Sequence, residues 1–355
     1  MPDFVLPEIL RLTLVASVLS IHDLSRQTGL EESLIRYYES EYPTELPEKI
    51  LQGNSLFFET KAVAAFRRVH LRHSGQPTAD QALAKKSEGF ARVLAVTSGK
   101  GGVGKTNIAL NLAIELQRLG KMTLVLDADL GMANIHLLTG LHPKHTLKDI
   151  LSNEVLVSDL IMDGPEGIGI IPGGSGILGL ADATTAERTR MVEALGEMEE
   201  AADIIVVDTG AGMAAGVRDF LMAADQILFV LTPDLTSMAD AYGLLKALHG
   251  QGCKGRLYSV INMVTTLRQA ADVARRFGEC VERFLGQQVV NMGYLLKDGT
   301  VGAATAKRMP YAVLDPKARV SRNTANLAAA LVQESDPQVK LSSAFKRYLG
   351  MMSGK

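Results

Sequence analysis

Gly99-Lys100-Gly101-Gly102-Val103-Gly104-Lys105-Thr106 decides how this chain folds. The stretch satisfies G-x-x-x-x-G-K-[ST], in which glycines let successive backbone N–H groups turn inward around phosphate oxygens. An apolar run, Arg92–Thr97, precedes it and an amphipathic run, Asn107–Leu119, follows. The loop therefore joins a buried strand to a helix, and the helix adds the partial positive charge of its first turn. Lys105 is placed to reach the β- and γ-phosphates of a bound nucleotide, and the Thr106 hydroxyl to ligate Mg²⁺.

Outward from this loop, short apolar runs alternate with amphipathic stretches. The runs are Val93–Thr97, Thr123–Leu126, Ile168–Ile171, Ile204–Val207, Ile227–Leu231, Leu257–Ile261 and Val289–Met292. Buried strands alternating with helices predict an α/β fold over 91–337, a doubly wound and mainly parallel sheet covered on both faces. The length, 355 residues, suits two or three domains. Hydrophobic residues make up 47% and charged residues 21%, enough apolar material for a large core. A net charge of −2 excludes a broadly basic, histone-like binder of nucleic acid, though not a local patch. Cys253 and Cys280 are too few for a disulfide scaffold or a cysteine metal cage, and fit a reducing compartment. Phe4–Ile21 is apolar but contains Pro7, Glu8 and Arg11 with no basic residue before it, which argues against a secretory signal or a spanning helix. A cytoplasmic location is expected.

The second lysine of the loop is informative. Lys100-Gly-Gly-Val-Gly-Lys-Thr106 resembles the deviant Walker A motif of the MinD/ParA ATPases. Asp127-Ala-Asp-Leu-Gly-Met-Ala-Asn134 is similar to that family's switch I, and Asp208-Thr-Gly-Ala-Gly212 to its Walker B and switch II. In an open parallel sheet all three lie at the carboxyl ends of strands, where ligands bind. The resemblance implies a P-loop ATPase with ATP and Mg²⁺ as ligands. Gly99, Lys100, Gly101, Gly102, Val103, Gly104, Lys105, Thr106 and Asn107 would bind the nucleotide, and the amides of Gly210 and Gly212 would sense its γ-phosphate. Thr106, Asp127 and Asp208 would organise the Mg²⁺ shell, Asp208 through water. Asp129 would orient the attacking water, since phosphoryl transfer needs neutralised charge and a positioned nucleophile more than covalent chemistry. Lys100 would cross to the nucleotide of a second subunit, which makes homodimerisation depend on ATP. The plain alternatives are solvated strand-end carboxylates and a solvent-facing loop lysine.

A guanine site usually carries Asn-Lys-x-Asp after a late strand, whereas here Asn262-Met-Val-Thr265 has no aspartate. Asn262 resembles the adenine-contacting asparagine of MinD-type proteins, and a strand cap is its other reading. Tyr294-Leu-Leu-Lys-Asp298 departs from the family's Ile-Pro-x-Asp run, with Leu296 in place of the proline. Thr232-Pro-Asp-Leu-Thr-Ser-Met-Ala-Asp-Ala-Tyr-Gly-Leu-Leu-Lys246 resembles the flagellar-number regulators (the FlhG/FleN group), as does the wording of both switches. That resemblance implies control of flagellar number or placement. Asp80-Gln81-Ala82 partly matches the motif by which these regulators stimulate an FlhF-like GTPase, although Lys85 and Lys86 replace its Leu-Arg end. A linker helix over 76–90 is the alternative.

Residues 1–75 resemble the winged helix-turn-helix of MerR-type regulators. Ser20–Leu30 and Ser33–Glu39 supply two helices around Gly29, with Leu24, Leu30, Leu34 and Ile35 inward. Gly53–Phe58 would be the wing and Thr60–Leu71 the next helix. Arg36 and Tyr37 match positions that would contact DNA. Residues 1–90, however, hold 10 Lys plus Arg against 12 Asp plus Glu, and Glu31 and Glu32 open the second helix. Repulsion from phosphate weighs against DNA, so a protein-docking module stays open.

The tail, 338–355, places Leu341, Phe345, Tyr348, Leu349 and Met352 on one helical face, with four Lys or Arg and no acid. That pattern suits an interfacial helix attracted to anionic lipid, or one packed on its own domain. Together these readings describe an ATP-hydrolysing dimerisation switch that visits the inner face of the cell membrane. A DNA partition ATPase and an ATP-sensing transcriptional co-regulator are the alternatives.

Overall fold

A computed structural model describes residues 18–28, 30–43, 46, 50–52, 55–59, 66, 91–129, 134–151, 155, 157–174 and 185–333. The chain divides into two compact units, Met1–Lys85 and Lys86–Lys355.

In the first unit, β1 (Val18–Ser20) leads into α1 (Ile21–Thr28), followed by α2 (Glu32–Glu41), β2 (Ile50–Gln52) and β3 (Ser55–Glu59). Helix α1 starts on a reciprocal cap. The Asp23 N–H donates to Ser20 Oγ at 3.1 Å, while Ser20 donates its own N–H and hydroxyl to Asp23 Oδ2. The three strands form an antiparallel sheet in the order β1-β3-β2. Leu24, Ile35, Phe58 and Phe66 are fully buried, and the two phenylalanine rings meet edge to face at 5.2 Å. Tyr38 is core, whereas Arg36 and Tyr37 face solvent. Gly53 and, apart from Phe66, the stretch 60–71 lie outside the described residues, as does the 76–90 segment with Asp80, Gln81 and Ala82.

The second unit is built on eight strands. They are β4 (Arg92–Thr97), β5 (Thr123–Ala128), β6 (Met162–Asp163), β7 (Gly169–Ile171), β8 (Ile204–Thr209), β9 (Gln226–Leu231), β10 (Arg256–Val264) and β11 (Val290–Leu296). Their order is β11-β10-β9-β4-β8-β5-β7-β6, and every neighbouring pair is parallel except β6 with β7. All seven expected strands are present. The two-residue β6 is additional, too short to leave a periodic signal. Strands β5 and β8 also run further than expected: the ladder continues through Asp127 and Asp208, which are Cα partners. These acids are the penultimate residues of their strands rather than the first residues after them.

Alternate residues of each strand enter different cores. Before β11, the α-helices of this unit run α3 (Lys105–Arg118), α4 (Ile135–Thr139), α5 (Leu147–Leu151), α6 (Val157–Leu160), α7 (Thr185–Glu200), α8 (Ala215–Ala223), α9 (Leu235–Gly250) and α10 (Leu267–Leu285). Val93, Ala95, Val207 and Phe229 pack under α7 to α10. Leu94, Val96, Val206 and Leu228 pack under α3 (Lys105–Arg118), which buries Ile108, Leu112 and Leu116, and under the C-terminal Arg319–Gln333 helix. With both faces covered, the strands are apolar throughout, as the period-two geometry of a strand demands. The chain leaves β4 toward β5, returns through β8, then crosses to β9 on the other side of β4. The β4 carboxyl end is thus a topological switch point, where open parallel sheets bind ligands.

Candidate nucleotide site

The loop between β4 and α3 occupies that switch point. Gly102 (φ +77°) and Gly104 (φ +94°) take left-handed backbone, open to glycine at no steric cost. A Cβ at Gly101 or Gly102 would meet nothing within 4 Å, so the tip of the loop opens on free space. Gly99 has a different requirement: its Cβ would lie 2.1 Å from the Asp240 carbonyl carbon in α9. It is small because a helix backbone passes against it. Asn107 lies in the first turn of α3, its carbonyl accepting from Asn111 Nδ2 at 2.7 Å.

The two lysines of the loop part company. Lys105 is buried, and its Nζ donates to Ser98 Oγ at 3.0 Å. Burial lowers its pKa, while Asp208 and Asp129 pull it back up. Lys100 is 42% exposed, with its Nζ 2.6 Å from Asp234 Oδ2 and 2.8 Å from Thr236 Oγ1. Asp234 is the N-cap of α9, accepting from the Thr236 N–H at 3.0 Å. Hydrogen bonds from Lys100 and Thr236 hold its carboxyl down at about 2.

Asp127 and Asp208 stand side by side at the strand ends, but their surroundings differ. Asp127 accepts three backbone N–H groups, from Asp129 at 3.2 Å, Asn134 at 2.9 Å and Ile135 at 3.1 Å. It thereby ties the switch I segment to the start of the Ile135–Thr139 helix. Burial outweighs those bonds and raises its pKa to about 6. Asp208 is fully buried, and neither of its carboxylate oxygens has a hydrogen-bond partner of proper geometry among the described residues. Burial first, then the nearby Asp127, raises it to about 8, against the pull of Thr106 and Lys105.

Two orphaned carboxylate oxygens beside a threonine hydroxyl are an unfinished coordination shell. Oxygen donors from one carboxylate and one hydroxyl, with room at the loop tip, fit Mg²⁺ held jointly with nucleotide phosphates. No group of three or more His, Cys, Asp or Glu among the described residues is arranged to hold a metal alone, and Mg²⁺ does not need one. Switch II closes the site from the other side. The Gly212 N–H donates to Ser98 O at 3.1 Å, so that amide is engaged inside the chain, while the Asp129 carboxylate lies against Gly210. Asn262 lies in the last three residues of β10, which runs on to Val264, and its Nδ2 donates to Val103 O at 2.8 Å. Sequence reasoning marked Asp234 and Thr236 only as wording shared with a family; their grip on Lys100 requires the β9 and β4 ends to be adjacent.

Comparison with known proteins agrees with this geometry. A family model described as an AAA domain matches residues 91–250. The antiactivator FleN of Pseudomonas aeruginosa is 34% identical over 230 residues, covering 65% of this chain and 82% of FleN. The flagellum site-determining protein YlxH of Helicobacter pylori is 31% identical over 271 residues, covering 74% and 91%. The chain belongs to the MinD/ParA family of ATPases. Among solved structures, MinD of Pyrococcus horikoshii, complexed with Mg-ADP, superposes with a TM-score of 0.57 at 22% identity, covering 68% of this chain and 96% of that one. MinD in the Aquifex aeolicus MinC:MinD complex gives a TM-score of 0.56 at 24% identity, with 70% and 99% covered. These last two are likenesses of fold. Within this family the chain is similar to FleN and YlxH over most of their length, and its P-loop unit is an ATPase.

Proposed function

We propose that this protein binds ATP with Mg²⁺, dimerises on it, and by hydrolysing it switches off an interaction that governs flagellar number or placement. The observation that carries the reading is the division of labour within one loop. Lys105 points into a buried seat lined by Ser98, Thr106 and Asp208, while Lys100 is exposed at the rim of that seat. A cation at the rim is positioned to neutralise charge on a nucleotide held by another molecule, as an arginine finger does. Thr106 and Asp208 would hold Mg²⁺, whose chemistry there would be neutralisation of phosphate charge. Asp129, whose carboxylate lies against Gly210, would orient the attacking water.

Asp129→Ala is expected to trap an ATP-bound dimer, since water orientation is lost and binding is kept. Size-exclusion chromatography with ATP that shows only monomer would sink the dimer reading. The flagellar role rests on the similarity to FleN and YlxH; an antiactivator and a flagellum site-determining protein as relatives suggest a transcriptional or assembly partner for this chain. An FlhF-like GTPase is a candidate partner through Asp80, Gln81 and Ala82. Residence in the cytoplasm, with nucleotide-dependent contact with the membrane's inner face, rests on the pattern of Leu341, Phe345, Tyr348, Leu349 and Met352. Those residues lie outside the described ones, and among the described residues no helix is long and apolar enough to cross a membrane.

A second reading has one observation in its favour. Arg36 and Tyr37 are exposed on α2, Tyr37 by 51%, while Tyr38 beside them is buried. An exposed basic and aromatic pair on the helix after a turn is a surface that DNA could use, in a partition ATPase or a co-regulator. Electrophoretic mobility shift with Arg36→Ala and Tyr37→Ala tests it: binding that neither change weakens excludes these contacts.

A further inference from the structure

The phosphate loop is gripped from outside at its exit. Asn262 Nδ2 donates to the Val103 carbonyl at 2.8 Å, and Asn262 Oδ1 accepts the Met263 N–H at 2.8 Å. Both ends of the amide are therefore engaged within the chain. The fit is close: a Cβ on Gly104 would come within 2.6 Å of Asn262 Nδ2, so a larger residue there would displace the amide. Met263 holds a left-handed backbone (φ +58°), a conformation that is strained for a non-glycine residue. That conformation coincides with an irregularity in the β10–β11 pairing between Ile261 and Val264, and Met263 is exposed.

The Val103 carbonyl and the Gly104 N–H belong to one planar peptide unit, so they point in opposite directions. Fixing the carbonyl on Asn262 turns the Gly104 N–H the other way, off the Asn262 side of the loop. We propose that Asn262 is a positioning residue for the phosphate loop, orienting the Val103–Gly104 peptide so that the Gly104 amide faces the triphosphate, whichever base that triphosphate carries. This assigns the side chain a task separate from contact with adenine, and it rests on the loop being a nucleotide site.

The test uses the full chain and three probes, each with Mg²⁺: ATP, GTP and inorganic tripolyphosphate, competing against a fluorescent ATP analogue. Asn262→Ala removes the donor. Asn262→Asp keeps the shape and the acceptor for Met263 but cannot donate to Val103. Both variants are expected to lose affinity for all three probes by a common factor, about tenfold, the loss of one well-placed hydrogen bond. Loss confined to ATP, with tripolyphosphate unaffected, would make Asn262 a base reader and overturn the proposal. A lowered melting temperature with unchanged affinity for every probe would also overturn it. Failure of the wild-type chain to bind the ATP analogue at all would instead remove the nucleotide site on which the proposal rests.

Discussion

Asp208 shows how one residue links the site's chemistry to the stability of the fold. Its carboxyl is buried beside Asp127 without a hydrogen-bond partner of proper geometry among the described residues. In the nucleotide-free protein its pKa is raised to about 8, so the folded state holds a proton that the unfolded state has released above pH 4. Stability from this group is full below about pH 4 and falls as pH rises through 8. Without nucleotide and Mg²⁺, the melting temperature is expected to be lower at pH 8.5 than at pH 6.5. Asp208→Asn should remove that part of the decline, raise the pH 8.5 midpoint by roughly 2–4 °C, and abolish hydrolysis. Calorimetry at the two pH values and phosphate release check both halves; a variant melting lower than wild type at pH 8.5 would contradict the unpaired-charge account. The strand-end acids were legible in the sequence as a pair. Their different tasks were not, because Asp127 acquires its three N–H donors only when Asn134 and Ile135 lie against the end of β5 beside Asp129.

At the scale of elements, the phosphate loop depends on a helix that follows a different strand. Helix α9 presses its backbone on Gly99 and holds Lys100 through Asp234 and Thr236. Ser237 in its first turn accepts the Thr232 N–H at 3.1 Å, which fixes the β9–α9 corner. The Thr232–Lys246 run could be read beforehand only as a family's wording. In the fold its residues are the bracket of the loop. If Lys100 serves a second subunit, it must first leave Asp234, and that exposed, solvent-screened ion pair opposes dimerisation modestly. Asp234→Ser keeps a good helix cap but cannot reach Lys100. It is expected to shift ATP-dependent dimerisation to lower protein concentration, by a few-fold. Sedimentation at graded concentrations checks this; an unchanged dimer constant, in a wild type that does dimerise, would show that the pair exerts no restraint.

For the molecule as a whole, the near-zero net charge conceals an uneven distribution. Residues 338–355 carry four Lys or Arg and no acid, while 1–90 carry more acid than base. An amphipathic cationic segment gains both apolar burial and attraction at an anionic bilayer. Deleting 338–355 is therefore expected to abolish ATP-dependent co-sedimentation with liposomes containing anionic lipid, while leaving ATP hydrolysis in solution near the wild-type rate. Co-sedimentation that survives the deletion would move the membrane contact elsewhere.

The sequence by itself determined the class of fold and the phosphate seat. Both are local: seven apolar runs with helices between them admit few arrangements other than a covered parallel sheet, and the glycine loop with its lysine and threonine lies within eight residues. Only the tertiary structure decided which groups are engaged. Lys100 meets Asp234 across 134 residues, Asn262 meets Val103 across 159, and Gly212 meets Ser98 across 114. Such contacts follow from the order in which strands lie side by side. A strand's apolar pattern records that it is buried, and carries no mark of which strand will be its neighbour.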